Sequence, residues 1–203
     1  MANDSVKQVP ITGIDMFYWA ELEEDNPPQG DTPGKTTYKT SHFLPMLVSA
    51  SLAANSQSSS YWASNMIGAT AAQLGDMSLQ LQAPQIPPDV LAAWYGWERK
   101  NGALLGSQIN PKDIAIGYRI TFSDNHHLYV WVLKAKPGVA DLAASTKNNS
   151  ISFQDGTINC GIAMRLSDGK YMVALDDTDP DNEKTAEQIA AGFFTSPNWA
   201  IAD

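Results

Sequence analysis

Alternation of apolar and polar residues at a period of two dominates this chain, and it marks half-buried β-strands. Met77, Leu79, Leu81 and Ala83 alternate with Ser78, Gln80 and Gln82. Ile114, Ile116, Tyr118, Ile120 and Phe122 alternate with Ala115, Gly117, Arg119 and Thr121. Tyr129, Trp131 and Leu133 interleave with Val130 and Val132, so that strand is expected to be buried on both faces. Ile151, Phe153, Ile158, Ile162, Met164 and Leu166 predict a long strand pair broken near Asp155-Gly156. Tyr171, Val173 and Leu175 predict the return strand of a hairpin turned at Ser167-Asp168-Gly169, because Asp-Gly between alternating runs is a strong hairpin signal. Two earlier strands fall at residues 13–21 and 43–55.

Helical patterns are few. Pro87-Pro88-Asp89 sets a start, and Val90, Leu91, Trp94, Tyr95 and Trp97 supply an apolar stripe that Asn101-Gly102 ends. A second helix is expected to begin near Asp181, with Ala186, Ile189, Ala190 and Phe193 on one face and Pro197 closing it. The chain thus reads as mainly β: a sandwich or barrel with one flanking α-helix and a short C-terminal helix, in one domain over residues 1–203. Residues 23–40, 56–64 and 137–149 lack either period and read as long loops, which in a compact domain usually carry function.

Composition narrows the functional classes. A chain of 203 residues can bury about 70% of its unfolded surface and needs no staples. Charged residues make up 17%, so much of the surface must be neutral Ser, Thr, Asn, Gln and Ala. A net charge of −9 repels a phosphate backbone, which excludes a nucleic-acid reader that grips its target but not a protein past which nucleic acid slides. Cys160 is the single cysteine, so an intramolecular disulfide and a cysteine-based zinc cluster are excluded and a reducing compartment is expected. Residues 1–10 lack the pattern of a signal peptide, and no apolar run approaches the ~20 residues of a membrane span. A soluble protein made in a cytoplasm is expected, with no membrane partner.

Candidate chemistry is sparse. His126 and His127 are adjacent and, on a strand, would face opposite sides, so they cannot bind a metal together; His42 stands apart. Cys160 lies in an alternating strand with no positioned base and reads as a small core residue. No nucleophile elbow, phosphate loop, dinucleotide fingerprint or zinc-protease motif occurs. Asp177, Asp179 and Asp181 fit the first, third and fifth positions of a calcium loop, but Asn182 and Gln188 then stand where Gly and a bidentate Glu belong. That acidic run reads instead as a solvated turn before a helix N-terminus. The tryptophans invite a sugar-stacking reading, yet Trp94 lies on the helix stripe and Trp131 in the doubly buried strand, so both are expected as core anchors. No catalytic, cofactor-binding or metal residue is assigned, and the chain reads as no enzyme.

Several blocks, in their order, resemble the major tail protein, or tail tube protein, family of long-tailed, siphovirus-type bacteriophages. They are Ile86-Pro87-Pro88-Asp89-Val90-Leu91-Ala92-Ala93-Trp94-Tyr95-Gly96, Asn101-Gly102-Ala103-Leu104-Leu105 and Ile114-Ala115-Ile116-Gly117-Tyr118-Arg119. Leu128-Tyr129-Val130-Trp131-Val132-Leu133-Lys134-Ala135-Lys136, residues 146–154 and Asp168-Gly169-Lys170-Tyr171 follow, so that the likeness spans residues 9–197. The resemblance implies a β-sandwich or barrel of the tail tube type, with no cofactor and no catalysis. It implies six copies to a ring and rings stacked into a virion tail tube, through which genomic DNA passes without specific binding. The implied partners are further copies of the chain and the tape measure, tail-terminator and distal tail proteins. Residues 23–40 hold too little apolar surface to fold on themselves, so order is expected from an adjacent subunit, through Lys35, Tyr38, Lys39 and Phe43. A carbohydrate-binding sandwich and another tail component, such as a baseplate or terminator protein, are the competing readings.

Overall fold

The computed structural model describes residues 8–63, 66–84, 86–141 and 155–201 and, within residues 57–74, the backbone alone. The chain is mainly β, as the alternation predicts. In order it forms β1 (Ile11–Asn26), β2 (Lys35–Tyr38), β3 (His42–Leu44), β4 (Ser49–Ala63), β5 (Met66–Ala83) and helix α1 (Pro88–Tyr95). There follow β6 (Glu98–Lys100), β7 (Ala103–Leu105), β8 (Ile114–Phe122), β9 (His127–Pro137), β10 (Gly156–Ile162), β11 (Met172–Asp176) and α2 (Ala186–Gly192), closed by a 3-10 turn at Phe193–Thr195. Nine strands make one antiparallel sheet in the order β2-β1-β8-β9-β10-β5-β4, with β3 also on β1 and β11 also on β9. β6 and β7 form a separate small hairpin.

The sheet curls on itself. β3 and β4 lie at opposite margins, yet only residues 45–48 join them, a reach of at most ~18 Å. Phe17 of β1, Leu44 of β3 and Ala83 of β5 line one cleft, so the two margins approach each other across a seam. The result is an open barrel. One apolar cluster draws on both margins and the middle: Phe17, Trp19, Leu79, Leu81, Ile114, Ile116, Val130, Val132 and Ile158, with Trp94 and Tyr95 of α1. Only the concave face can gather all of these strands, so α1 fills the barrel.

The convex face carries a second cluster. Ala115, Tyr129, Trp131 and Leu133 pack there under Ile189, Phe193 and Phe194 of α2 and its 3-10 turn. β9 is therefore buried on both faces over residues 129–133, as that unbroken apolar run implies. Trp94 and Trp131 are both fully buried, but on opposite faces of the sheet. Trp94 meets Trp19 edge to face at 5.9 Å inside the barrel. Trp131 lies outside, donating its indole N–H to the Phe193 carbonyl at 2.9 Å. It lies flat across β8 because its cross-strand partner is Gly117, where a Cβ would come within 2.9 Å of the indole ring.

Four expectations are corrected by the structure. α1 stops at Gly96, which adopts the left-handed φ of 68° that ends helices, so Trp97 is off the helix. Asn101 and Gly102, both at positive φ, instead turn the β6–β7 hairpin, as Asn-Gly pairs do. Residues 56–63 are strand rather than loop: their polarity hides a register along β5 that backbone hydrogen bonds maintain. Nor do β10 and β11 pair with each other. Both lie on β9, β11 against Leu128–Val132 and β10 against Ala135–Pro137, while β10 takes β5 on its other side. Finally, residues 23–40 are not one long loop, since β1 runs to Asn26 and β2 returns along it in an antiparallel hairpin. Of the 137–149 stretch, Gly138 and Asp141 are tied by backbone bonds to Asn159 and Thr157, and residues 142–149 lie outside the described residues, as do Ile151 and Phe153.

Candidate assembly surface

β4 and β5 form a hairpin far longer than the sheet that carries it. Their pairing runs from Ser49↔Gln82 to Ala63↔Met66, but β10 accompanies β5 only from Met77 to Ala83. Past that point, residues 56–63 and 66–74 form a two-stranded arm with no third strand on either side among the described residues. Among the described residues no strand pairs with the outer edge of β4 anywhere along its 15 residues. An isolated two-stranded ribbon is marginally stable in water, and an open edge is a template for another strand. Proteins usually guard such edges with charge or proline. Here residues 43–75 contain no charged residue and no histidine, and residues 49–83 contain no proline. That gap in charge is legible in the sequence, where alternation alone does not reveal the arm.

The opposite margin is built differently. β2 and β3 are four and three residues long, and ion pairs with exposed lysines lie along them: Lys35 with Glu24 at 3.4 Å and Lys39 with the half-buried Glu21 at 3.1 Å. Beneath the β1–β2 hairpin is a polar cluster. The Asp25 carboxylate accepts from the Lys134 ammonium at 2.6 Å, the Thr36 hydroxyl at 3.1 Å and the Leu166 amide at 2.9 Å. Burial alone would raise the Asp25 carboxyl, but the Lys134 bond and the Leu166 and Thr36 donors outweigh it and hold the group below the usual carboxylate range. Alongside, buried Arg165 pairs with Asp168 and donates to the Asn198 side-chain oxygen at 2.7 Å. Gly34 comes so close to Ser167 that a Cβ would meet its backbone at 2.5 Å.

This cluster orders residues 23–40 within their own chain, which overturns the idea that they need a neighbour to fold. Tyr38 packs against the convex cluster and donates its hydroxyl to the Leu133 carbonyl at 2.8 Å, and burial pushes its phenol up to about 12. Phe43 lies on β3 beside Tyr18 and remains 53% exposed. The same cluster inverts the β10–β11 connection. Arg165 points inward, so Met164 and Leu166, expected to face the core, are exposed.

The other candidate groups are held structurally. Cys160 is buried in the barrel, and burial pushes its thiol up to about 12, far from reactive. His42 stacks on Trp19, His126 pairs with Asp124 and lies 3.7 Å from Asp176, and His127 contacts the Thr121 hydroxyl. In the acidic run, Asp176 accepts from the Thr178 amide and Asp179 from the Asp181 amide, the local bonds of a turn. Among the described residues no group of three or more His, Cys, Asp or Glu is placed to hold a metal ion.

No protein-family model matches the chain, and no curated protein matches it. Among solved structures it is similar to the tube-terminating cap of the anti-feeding prophage, determined by cryo-EM. The identity is 17%, the match covers 86% of this chain and 97% of that one, and the TM-score is 0.41.

Proposed function

We propose that this chain is a structural subunit of a phage-type tail, a tail tube protein whose copies join into hexameric rings that stack around a bore for genomic DNA. The observation that carries this reading is the β4–β5 arm, an uncharged ribbon whose edges have no partner strand among the described residues. Strand addition from a second copy satisfies those edges and extends the sheet from subunit to subunit. The margins of the sheet differ, one long and neutral, the other short and charged, so a contact between them is heterologous and propagates as a ring or filament. The ordered sequence blocks that resemble tail tube proteins support the same reading. Phe43, exposed on the short margin, is the contact residue we assign there, with exposed Lys35 and Lys39 flanking it and Tyr38 bracing the margin from inside. Tape measure, terminator and distal tail proteins are the partners a finished tube would meet.

The test compares the whole chain with a variant in which residues 56–74 are replaced by Asn-Gly. The parent should form rings or tubes in negative stain and sediment as a large species. The variant should keep its β-type circular dichroism and melting transition and sediment as a monomer. A parent that stays monomeric at every concentration refutes the proposal. Single rings that never stack would favour a terminator or baseplate component, which can use the same arm.

A further inference from the structure

The loop from Ala163 to Ser167 reverses the usual placement of side chains. Arg165 is 3% exposed, whereas Leu166 just beyond it is 58% exposed. The reversal is enforced, because Asp25 accepts the Leu166 amide and the Asp168 carboxylate holds the Arg165 guanidinium. Leu166 is thus presented on a rigid support whose one charge is turned inward and paired. Elsewhere the seam of the barrel opens into a cleft of about 90 Å³, lined by Phe17, Leu44, Pro45, Met46, Pro84 and Pro87 among other apolar groups. It is smaller than the roughly 150 Å³ that accommodates a benzene ring. One aliphatic side chain is the natural occupant.

Resting on the assembly reading above, we propose that Leu166 of one copy seats in the proline-lined cleft of the next. Knob and cleft cannot meet within one chain. Asp25, which holds the loop, and Phe17, which lines the cleft, stand eight positions apart on β1, about 26 Å of extended strand. The electrostatics of the two surfaces match. The cleft borders residues 43–75, which carry no charge, and the knob hides its own, so docking strands no ion in an apolar contact. The cleft also lies at the open end of the β4–β5 hairpin, opposite the tip of its arm: Pro45 and Met46 lead into β4, and Ala83 and Pro84 leave β5. A copy paired along β4 is therefore carried toward it. A knob and a cleft on different surfaces make a heterologous contact, the kind that continues from copy to copy.

The experiment pairs Met46→Cys, on the exposed rim of the cleft, with Leu166→Cys. Native Cys160 is buried and stays out of the reaction. Mild oxidation of the double variant should give a ladder of covalent oligomers on a non-reducing gel, and each single variant should give none. Separately, Leu166→Asp should keep the parent melting temperature, because the site is exposed, and lose at least tenfold in the assembled fraction by sedimentation. An assembling parent with no ladder, or with an aspartate variant that assembles fully, overturns this contact and leaves the tail tube reading standing. Dimers from Leu166→Cys alone would mean that like surfaces meet, which also overturns it. A parent that never assembles takes both proposals down.

Discussion

Asp25 shows what a single side chain can decide. Its carboxylate joins four segments: its own strand, β2 through Thr36, β9 through Lys134 and the Leu166 loop. Removing one member of a buried, hydrogen-bonded ion pair leaves the other uncompensated, so Asp25→Ala should cost about 3–5 kcal/mol in urea denaturation. Acid should act through the same residue. Burial raises the carboxyls of Asp25, Asp168 and Glu21, but the Lys134 bond, the Arg165 bond and the Lys112 and Lys39 bonds respectively prevail, and all three titrate below their ordinary range. A depressed folded-state value means stability that is complete above the unfolded value and lost as pH falls through the folded one. The urea midpoint of the parent should therefore hold above about pH 5 and fall as pH drops below about 4. The Asp25→Ala variant should fall less steeply over that window, and equal slopes would count against the cluster's role.

Among the elements, α2 depends most plainly on its packing. It has seven residues, fewer than a helix needs to persist alone in water, and although Thr185 and Gln188 form a reciprocal cap, its fixed points are Ile189, Phe193 and Phe194 over Trp131. Trp131→Ala and Trp94→Ala should each cost about 3–5 kcal/mol, since each removes a large buried ring. They should differ in hydrogen exchange: loss of Trp131 speeds exchange across residues 189–195, while loss of Trp94 leaves that segment slow until the whole protein unfolds. The strands most legible in the sequence are those, like β8 and β9, whose apolar residues meet a packed face. Less legible were β4, whose open edge and neutral arm call for no apolar period, and the β10–β11 connection, where Arg165 displaces Met164 and Leu166 from the interior. Alternation records which face is buried and not which strand lies alongside, so the Asp168-Gly169 turn suggested a hairpin although both flanking strands pair with β9. The arm was written in the absence of charge rather than in a period, and the Asp25 cluster, drawn from residues more than a hundred positions apart, had no local signature.

At the scale of the whole molecule, net charge and its placement separate two kinds of contact. The −9 of the chain lies outside residues 43–75, so the arm is neutral while the remaining surface repels phosphate. Duplex DNA titrated with the protein at about 0.15 M salt should show no binding; micromolar affinity falling steeply with added salt would contradict this. The pairing of β1 has a further consequence, for the order in which the chain takes shape. β2 and β3 follow β1 closely, but Asp15 meets Arg119 of β8, 104 positions later, so at ~5–20 residues per second that edge of β1 waits roughly 5–20 s on the ribosome. β4 and β5 are adjacent in sequence and need no such delay, because hairpins close in microseconds. The arm can thus exist before the barrel that bears it, and chains emerging side by side from one messenger would offer bare strand edges to each other seconds before any of them has a finished core.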